Sequence, residues 1–170
     1  MGNNASGKPV THSVMVVDDD HLLLEHIEMT LKDAGYMVTI VEDGEAALYL
    51  APSLHLDMII LDSVMPGMSG AEVLRHLKNE KVTADIPVMM LTARTGRDNV
   101  EEAVKLGAED YLAKPVDAVK LLGRVEKLLE KADKKRANDG HMEWKGPSQD
   151  FDLPLQKGTR VFLDPKQPKK

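Results

Sequence analysis

Hydrophobic residues along this chain fall into short unbroken runs separated by longer stretches of helical spacing. The runs Val14-Met15-Val16-Val17, Met58-Ile59-Ile60-Leu61 and Val88-Met89-Met90-Leu91 carry no helical stripe, and each stops abruptly at a polar residue. Runs of that kind read as buried strands. The pattern predicts strands near 13–17, 37–41, 57–61, 87–91 and 110–113. It predicts helices over 22–34 with Gly35 as stop, 45–50, 71–79, 99–106 with Gly107 as stop, and from Val116 to about Lys135. The connections are short and carry Gly44, Pro52, Pro66-Gly67, Gly70, Pro87, Gly96 or Pro115. Strands alternating with helices through such links predict an α/β domain with a parallel sheet.

In an open parallel sheet the functional crevice lies beyond the carboxyl ends of the strands. Asp18, Asp19, Asp62, Thr92 and Lys114 each follow a strand run and converge there. Carboxylates crowded at strand ends repel one another, so a cation belongs among them, most simply Mg²⁺ or Mn²⁺ with oxygen ligands. A hydroxyl and an ammonium opposite such an ion suit phosphoryl chemistry. Asp62 stands alone on its strand and is the candidate nucleophile. Asp18 and Asp19 are the candidate metal ligands, with Thr92 and Lys114 facing the phosphoryl oxygens. Strand ends that are merely solvated would explain any one of these residues, though poorly the set.

Charge divides the chain. Residues 1–132 carry 13 basic against 22 acidic side chains, a net −9, while 133–170 carry 9 against 6, a net +3. An acidic main domain makes a poor nucleic-acid surface. With no cysteine there is no thiol nucleophile and no disulfide. Neither a membrane span nor a signal peptide is legible, which suggests a cytoplasmic protein. Both Phe residues (Phe151, Phe162) and the single Trp144 lie beyond the predicted domain.

Four segments together resemble the receiver domain of two-component response regulators. They are Val16-Val17-Asp18-Asp19-Asp20, Leu61-Asp62-Ser63-Val64-Met65-Pro66-Gly67-Met68-Ser69-Gly70, Leu91-Thr92-Ala93 and Tyr111-Leu112-Ala113-Lys114-Pro115. The likeness spans about residues 12–133. It implies a flavodoxin-like, doubly wound five-stranded sheet in the order 2-1-3-4-5. It also implies phosphorylation of Asp62 by a histidine kinase or phosphotransfer protein, without turnover of a separate substrate. The backbone carbonyl of Val64 would then be a further metal ligand, beside Asp18, Asp19 and Asp62. Thr92 and Tyr111 would be the switch pair, and Val64 and Arg94 would tune the lifetime of the acyl phosphate. Pro115 could take the cis form, bringing the Lys114 ammonium over the site. The implied output is a protein partner at the helix 99–106, the strand 110–113 and the helix 116–135, with a homodimer left open and neither nucleic acid nor membrane as a direct partner.

A relay intermediate that passes its phosphoryl group to another histidine protein would use the same residues. A haloacid-dehalogenase-like phosphatase would share the Asp-x-Asp, Thr and Lys. It would, however, place Thr or Val where this chain has His21-Leu22, and a late acidic pair where only Asp117 follows Lys114. Gly2 to Lys8 imitates a phosphate-binding loop, yet no strand precedes it and Pro9 occupies the metal-touching position. Residues 1–11 read as a disordered leader, 12–136 as the receiver and 137–170 as a tail or docking arm. A helix-turn-helix module would need about twice the residues that lie beyond Arg136. Gly140-His141-Met142 also resembles a cloning junction.

Overall fold

The computed structural model describes residues 11–93, 101 and 104–139. Residues 1–10, Arg94, half of the 99–106 segment and the tail from Gly140 onward lie outside the described residues, although Glu101, Val104 and Lys105 are helical. Five strands form one parallel sheet: β1 (Ser13–Val17), β2 (Met37–Val41), β3 (Met58–Asp62), β4 (Val88–Thr92) and β5 (Asp110–Ala113). Their order is β2-β1-β3-β4-β5, the flavodoxin-like arrangement. Four helices with described bounds accompany them: α1 (His21–Asp33), α2 (Gly44–Leu50), α3 (Gly70–Asn79) and α4 (Ala118–Asn138).

Alternate residues of the central strands face opposite layers, as the strand period of two requires. Val14, Val16, Ile60 and Met89 pack with Leu24 and Ile27 of α1 and with Leu121 and Val125 of α4. Met15, Val17, Ile59 and Met90 pack with Ala47 and Leu50 of α2 and with Val73, Leu74 and Leu77 of α3. Both faces are covered, so the central strands read as continuous apolar runs.

The strand ends run slightly further than the apolar pattern. Asp62 pairs with Leu91 and Thr92 with Ala113, so both polar residues are the last members of their strands. Helix starts are set by side-chain caps. Asp20 accepts the Leu22 and Leu23 amides at 3.0 and 3.2 Å, which begins α1 at His21. Asp117 accepts the Lys120 amide at 2.8 Å, and α4 therefore begins at Ala118 rather than Val116. Lys78 at the end of α3 donates to the Ile86 carbonyl at 2.9 Å and to Glu109 at 2.8 Å. The other oxygen of Glu109 accepts the Val88 amide at 2.7 Å, which ties α3 to the starts of β4 and β5. Among the described residues no helix is long and apolar enough to cross a membrane.

The buried stripe of α4 ends at Leu129, yet the helix continues to Asn138. Charge holds that extension. Arg136 pairs with Asp57 and Lys135 with Asp85 at 3.1 Å, and His12 is hydrogen-bonded to Asp133 at 2.9 Å. Asp57 also accepts the Ser13 amide at 2.8 Å, so the helix end is fastened where β1 and β3 begin. The partly exposed Arg136–Asp57 pair contributes about 0.2–1 kcal/mol and weakens with salt. Arg136→Ala is expected to cost no more than about 1 kcal/mol of global stability. Its signature is faster amide exchange over 131–138 with β1 unchanged, measured by hydrogen exchange with mass spectrometry; unchanged exchange in 131–138 would refute the charge-held extension.

Candidate functional site

Three acids succeed one another after β1, and the fold gives each a different task. Asp18 is fully buried, Asp19 is exposed at the crevice, and Asp20 is spent on capping α1. Asp18 accepts the Asp20 amide at 2.9 Å through one oxygen. Its other oxygen accepts the Lys114 ammonium at 2.8 Å. Lys114 also lies 3.1 Å from Asp62, so one cation bridges carboxylates borne by different strands. Asp18, Asp19 and Asp62 each offer an oxygen within 4.8 Å of the others. Three hard oxygen donors at that spacing suit a divalent cation such as Mg²⁺.

Burial pushes the Asp62 carboxyl above its ordinary value, and the neighbouring charge of Asp18 adds to the rise. Hydrogen bonding and charge from Lys114, with the Val64 amide, work the other way without reversing it. For Lys114, burial opposes the charged form. The hydrogen bonds and charges of Asp18 and Asp62 outweigh that burial, and its pKa is raised. Asp62 is thus a desolvated, electron-rich carboxylate beside a fixed cation.

Thr92 is buried at the end of β4, next to this group in the sheet, and its carbonyl accepts the Lys114 amide at 2.8 Å. The Lys114-Pro115 peptide bond is cis. The side chain of Val64 is 62% exposed, on the loop leaving β3. Tyr111 on β5 is 39% exposed. Arg94 lies outside the described residues. The structure therefore brings Asp18, Asp19, Asp62 and Lys114 together with Thr92 adjoining, and leaves Tyr111 partly exposed on the last strand.

Two neighbours of Asp62 escape the sequence pattern as site residues. Gly70 opens α3 directly against the site: a Cβ there would overlap the Asp62 carbonyl oxygen and come within 2.9 Å of the Ser63 Cα. Only glycine permits so close an approach. Ser63 donates through its hydroxyl to the Leu91 carbonyl at 2.6 Å. A signal exists for Gly70, which stands at a strand-to-helix joint, but nothing in the local pattern marks Ser63.

The model of the response regulator receiver domain matches residues 14–126. This chain belongs to the response regulator receiver family. The chain is 33% identical over 156 residues to the phosphate regulon transcriptional regulatory protein PhoB of Pseudomonas aeruginosa, covering 92% of this chain and 62% of that protein. It is 37% identical over 121 residues to the DNA-binding dual master transcriptional regulator RpaA of Synechocystis, covering 71% of this chain and 50% of that protein. Among solved structures, the receiver domain of the sensor histidine kinase PA1611 of Pseudomonas aeruginosa, which has a magnesium ion coordinated in its active site cleft, superposes with a TM-score of 0.66. That pair is 27% identical over 71% of this chain and 99% of the other.

These relatives correct the expectation about partners. The expected absence of a nucleic-acid partner rests on an acidic main domain and on the shortness of the segment beyond Arg136. A regulator described as DNA-binding carries a matching segment, and the present chain spans only 50% of its length. The charge of a receiver therefore says nothing about nucleic-acid binding by the protein to which it belongs. The physical reason is that the net −9 of residues 1–132 describes the receiver segment alone.

The geometry has two measurable outcomes. Because the folded Asp62 has a raised pKa, the native state binds more protons than the unfolded chain, and stability falls as pH rises from the ordinary carboxylate value of 3.8 through the folded one. In metal-free buffer at pH 7, Asp62→Asn is expected to melt above the native chain, with the advantage shrinking as pH falls toward 4. An equal melting point at pH 7 would refute this. The second substitution is Gly70→Ala, which forces α3 off the Asp62 backbone and should cost about 1–3 kcal/mol in urea unfolding.

Proposed function

We propose that Asp62 accepts a phosphoryl group from a histidine-phosphorylated donor in a reaction that needs Mg²⁺ or Mn²⁺, and that the phosphorylated chain signals through altered protein contacts. The observation that carries this reading is the single Lys114 ammonium, 2.8 Å from Asp18 and 3.1 Å from Asp62, beside three carboxylates close enough to share one ion.

Asp18, Asp19 and Asp62, with the Val64 backbone carbonyl, would hold the ion. When bound, Mg²⁺ or Mn²⁺ supplies positive charge to the phosphoryl oxygens and offsets their repulsion from the carboxylates. An oxygen of Asp62 attacks phosphorus, the phosphorus–nitrogen bond of the donor breaks, and its electron pair returns to the imidazole. An acyl phosphate forms on Asp62. Lys114 is already aimed at the Asp62 carboxylate, so it follows the charge onto the phosphoryl group without reorganisation. Thr92 donates its hydroxyl to a phosphoryl oxygen, and Tyr111 turns inward from the exposed position it holds on β5. Val64 and Arg94 set the lifetime of the acyl phosphate. Residues 12–136 form the acting unit, in a cytoplasmic setting where such donors reside.

Incubation with acetyl phosphate and Mg²⁺, followed by intact mass measurement, tests the proposal. The native chain should gain one phosphoryl group, Asp62→Asn none, and the Asp18→Asn, Asp19→Asn double variant none. Lys114→Ala should react about 100-fold more slowly. Unchanged phosphorylation of Asp62→Asn would sink the reading. Turnover of a phosphomonoester that depends on Asp18 would replace it with a phosphatase.

A further inference from the structure

Ser63, the first residue past β3, stands between the two strands that carry Asp62 and Thr92. Its amide donates to the Leu91 carbonyl at 2.9 Å, continuing the parallel ladder by one rung. Its hydroxyl donates to the same oxygen at 2.6 Å. A carbonyl oxygen has two lone pairs, and here one residue occupies both. The carbonyl so held belongs to the peptide that leads into Thr92. On the far side of Thr92, its own carbonyl accepts the Lys114 amide at 2.8 Å. The Thr92 backbone is therefore clamped from β3 by the residue after Asp62 and from β5 by Lys114.

The ladder amide would be supplied by almost any residue at position 63. The hydroxyl would not, because an apolar side chain there leaves the second lone pair without a donor. Ser63 is fastened in turn: its carbonyl accepts the Gly70 amide at 3.1 Å, at the start of α3. One small polar residue thus joins the nucleophile strand, the hydroxyl strand and the helix behind them.

We propose that Ser63 is a positioning residue, whose hydroxyl fixes the spacing between Asp62 and Thr92 by holding the Leu91 carbonyl. The inference rests on the phosphoacceptor reading above. Ser63 touches neither phosphoryl group nor metal in this scheme. It acts through Thr92, so its removal should lower the maximal rate of acyl phosphate formation and leave ion binding alone.

The test compares the native chain with Ser63→Ala and Ser63→Thr, using acetyl phosphate and varied Mg²⁺, with thermal unfolding of each. Ser63→Ala should react about fivefold more slowly at saturating donor, as the loss of one neutral hydrogen bond allows, with the half-saturating Mg²⁺ concentration unchanged. Ser63→Thr, which restores a hydroxyl, should stay within about twofold of the native rate. Should Ser63→Ala not fold, Ser63→Cys replaces it, with a weaker donor and an intermediate rate expected. Equal rates for Ser63→Ala and the native chain would overturn the inference. So would a Thr variant as slow as the Ala variant, or a slow variant whose defect is cured by more Mg²⁺. Failure of the native chain itself to form an acyl phosphate would instead remove the phosphoacceptor reading, and this inference with it.

Discussion

The crevice is organised around one ammonium held between two buried carboxylates. Asp18 is completely buried and Asp62 nearly so, and Lys114 reaches both. Taking a carboxylate out of water costs several kcal/mol even after relaxation, and a pair at this range recovers on the order of 4 kcal/mol at an effective dielectric of 20. One lysine facing two acids leaves negative charge in excess. That excess is held in place, because both acids are buried and each is bonded to Lys114, with Asp18 also accepting the Asp20 amide. The apolar layers on both faces of the sheet are what hold the acids in place. The result is an enforced excess of negative charge at the mouth of the crevice.

The sheet was legible because fully buried parallel strands leave an unmistakable trace in sequence: uninterrupted Val, Ile, Leu and Met ending in a charge. The clustering of the candidate residues Asp18, Asp19, Asp62 and Lys114 was legible for the same reason, since they mark the ends of strand runs. What the sequence could not display were contacts between residues far apart in the chain. Lys78 and Glu109 are 31 positions apart, and nothing local announces that they close the space between α3, β4 and β5. Ser63 looks like an ordinary loop serine until the Leu91 carbonyl is placed beside it. The boundary errors have a local cause. Asp20 and Asp117 cap helices, and capping shifts an element's start in ways that apolar periodicity does not register.

Among the three consecutive acids, identity of side chain conceals a division of labour. Asp18 is paired with lysine, Asp19 is left open to the crevice, and Asp20 satisfies helix amides. The capping acid also anchors Asp18, because its amide is the donor to that carboxylate. The start of α1 and the acidic pocket are consequently one hydrogen-bonded unit. Gly70 does the equivalent on the other side of Asp62, where the absence of a side chain lets the first turn of α3 rest on the strand backbone.

Helix α4 begins just beyond the cis Lys114-Pro115 bond and ends against Asp57 at the start of β3. Its 21 residues make a rod of about 31 Å, at 1.5 Å per residue. One end sits beside the crevice lysine and the other on the opposite rim of the domain. The first half of this rod is gripped by buried Leu121, Val125, Leu128 and Leu129, and the last turns are fastened by ion pairs, so rising salt loosens one end of the helix and leaves the other as it was.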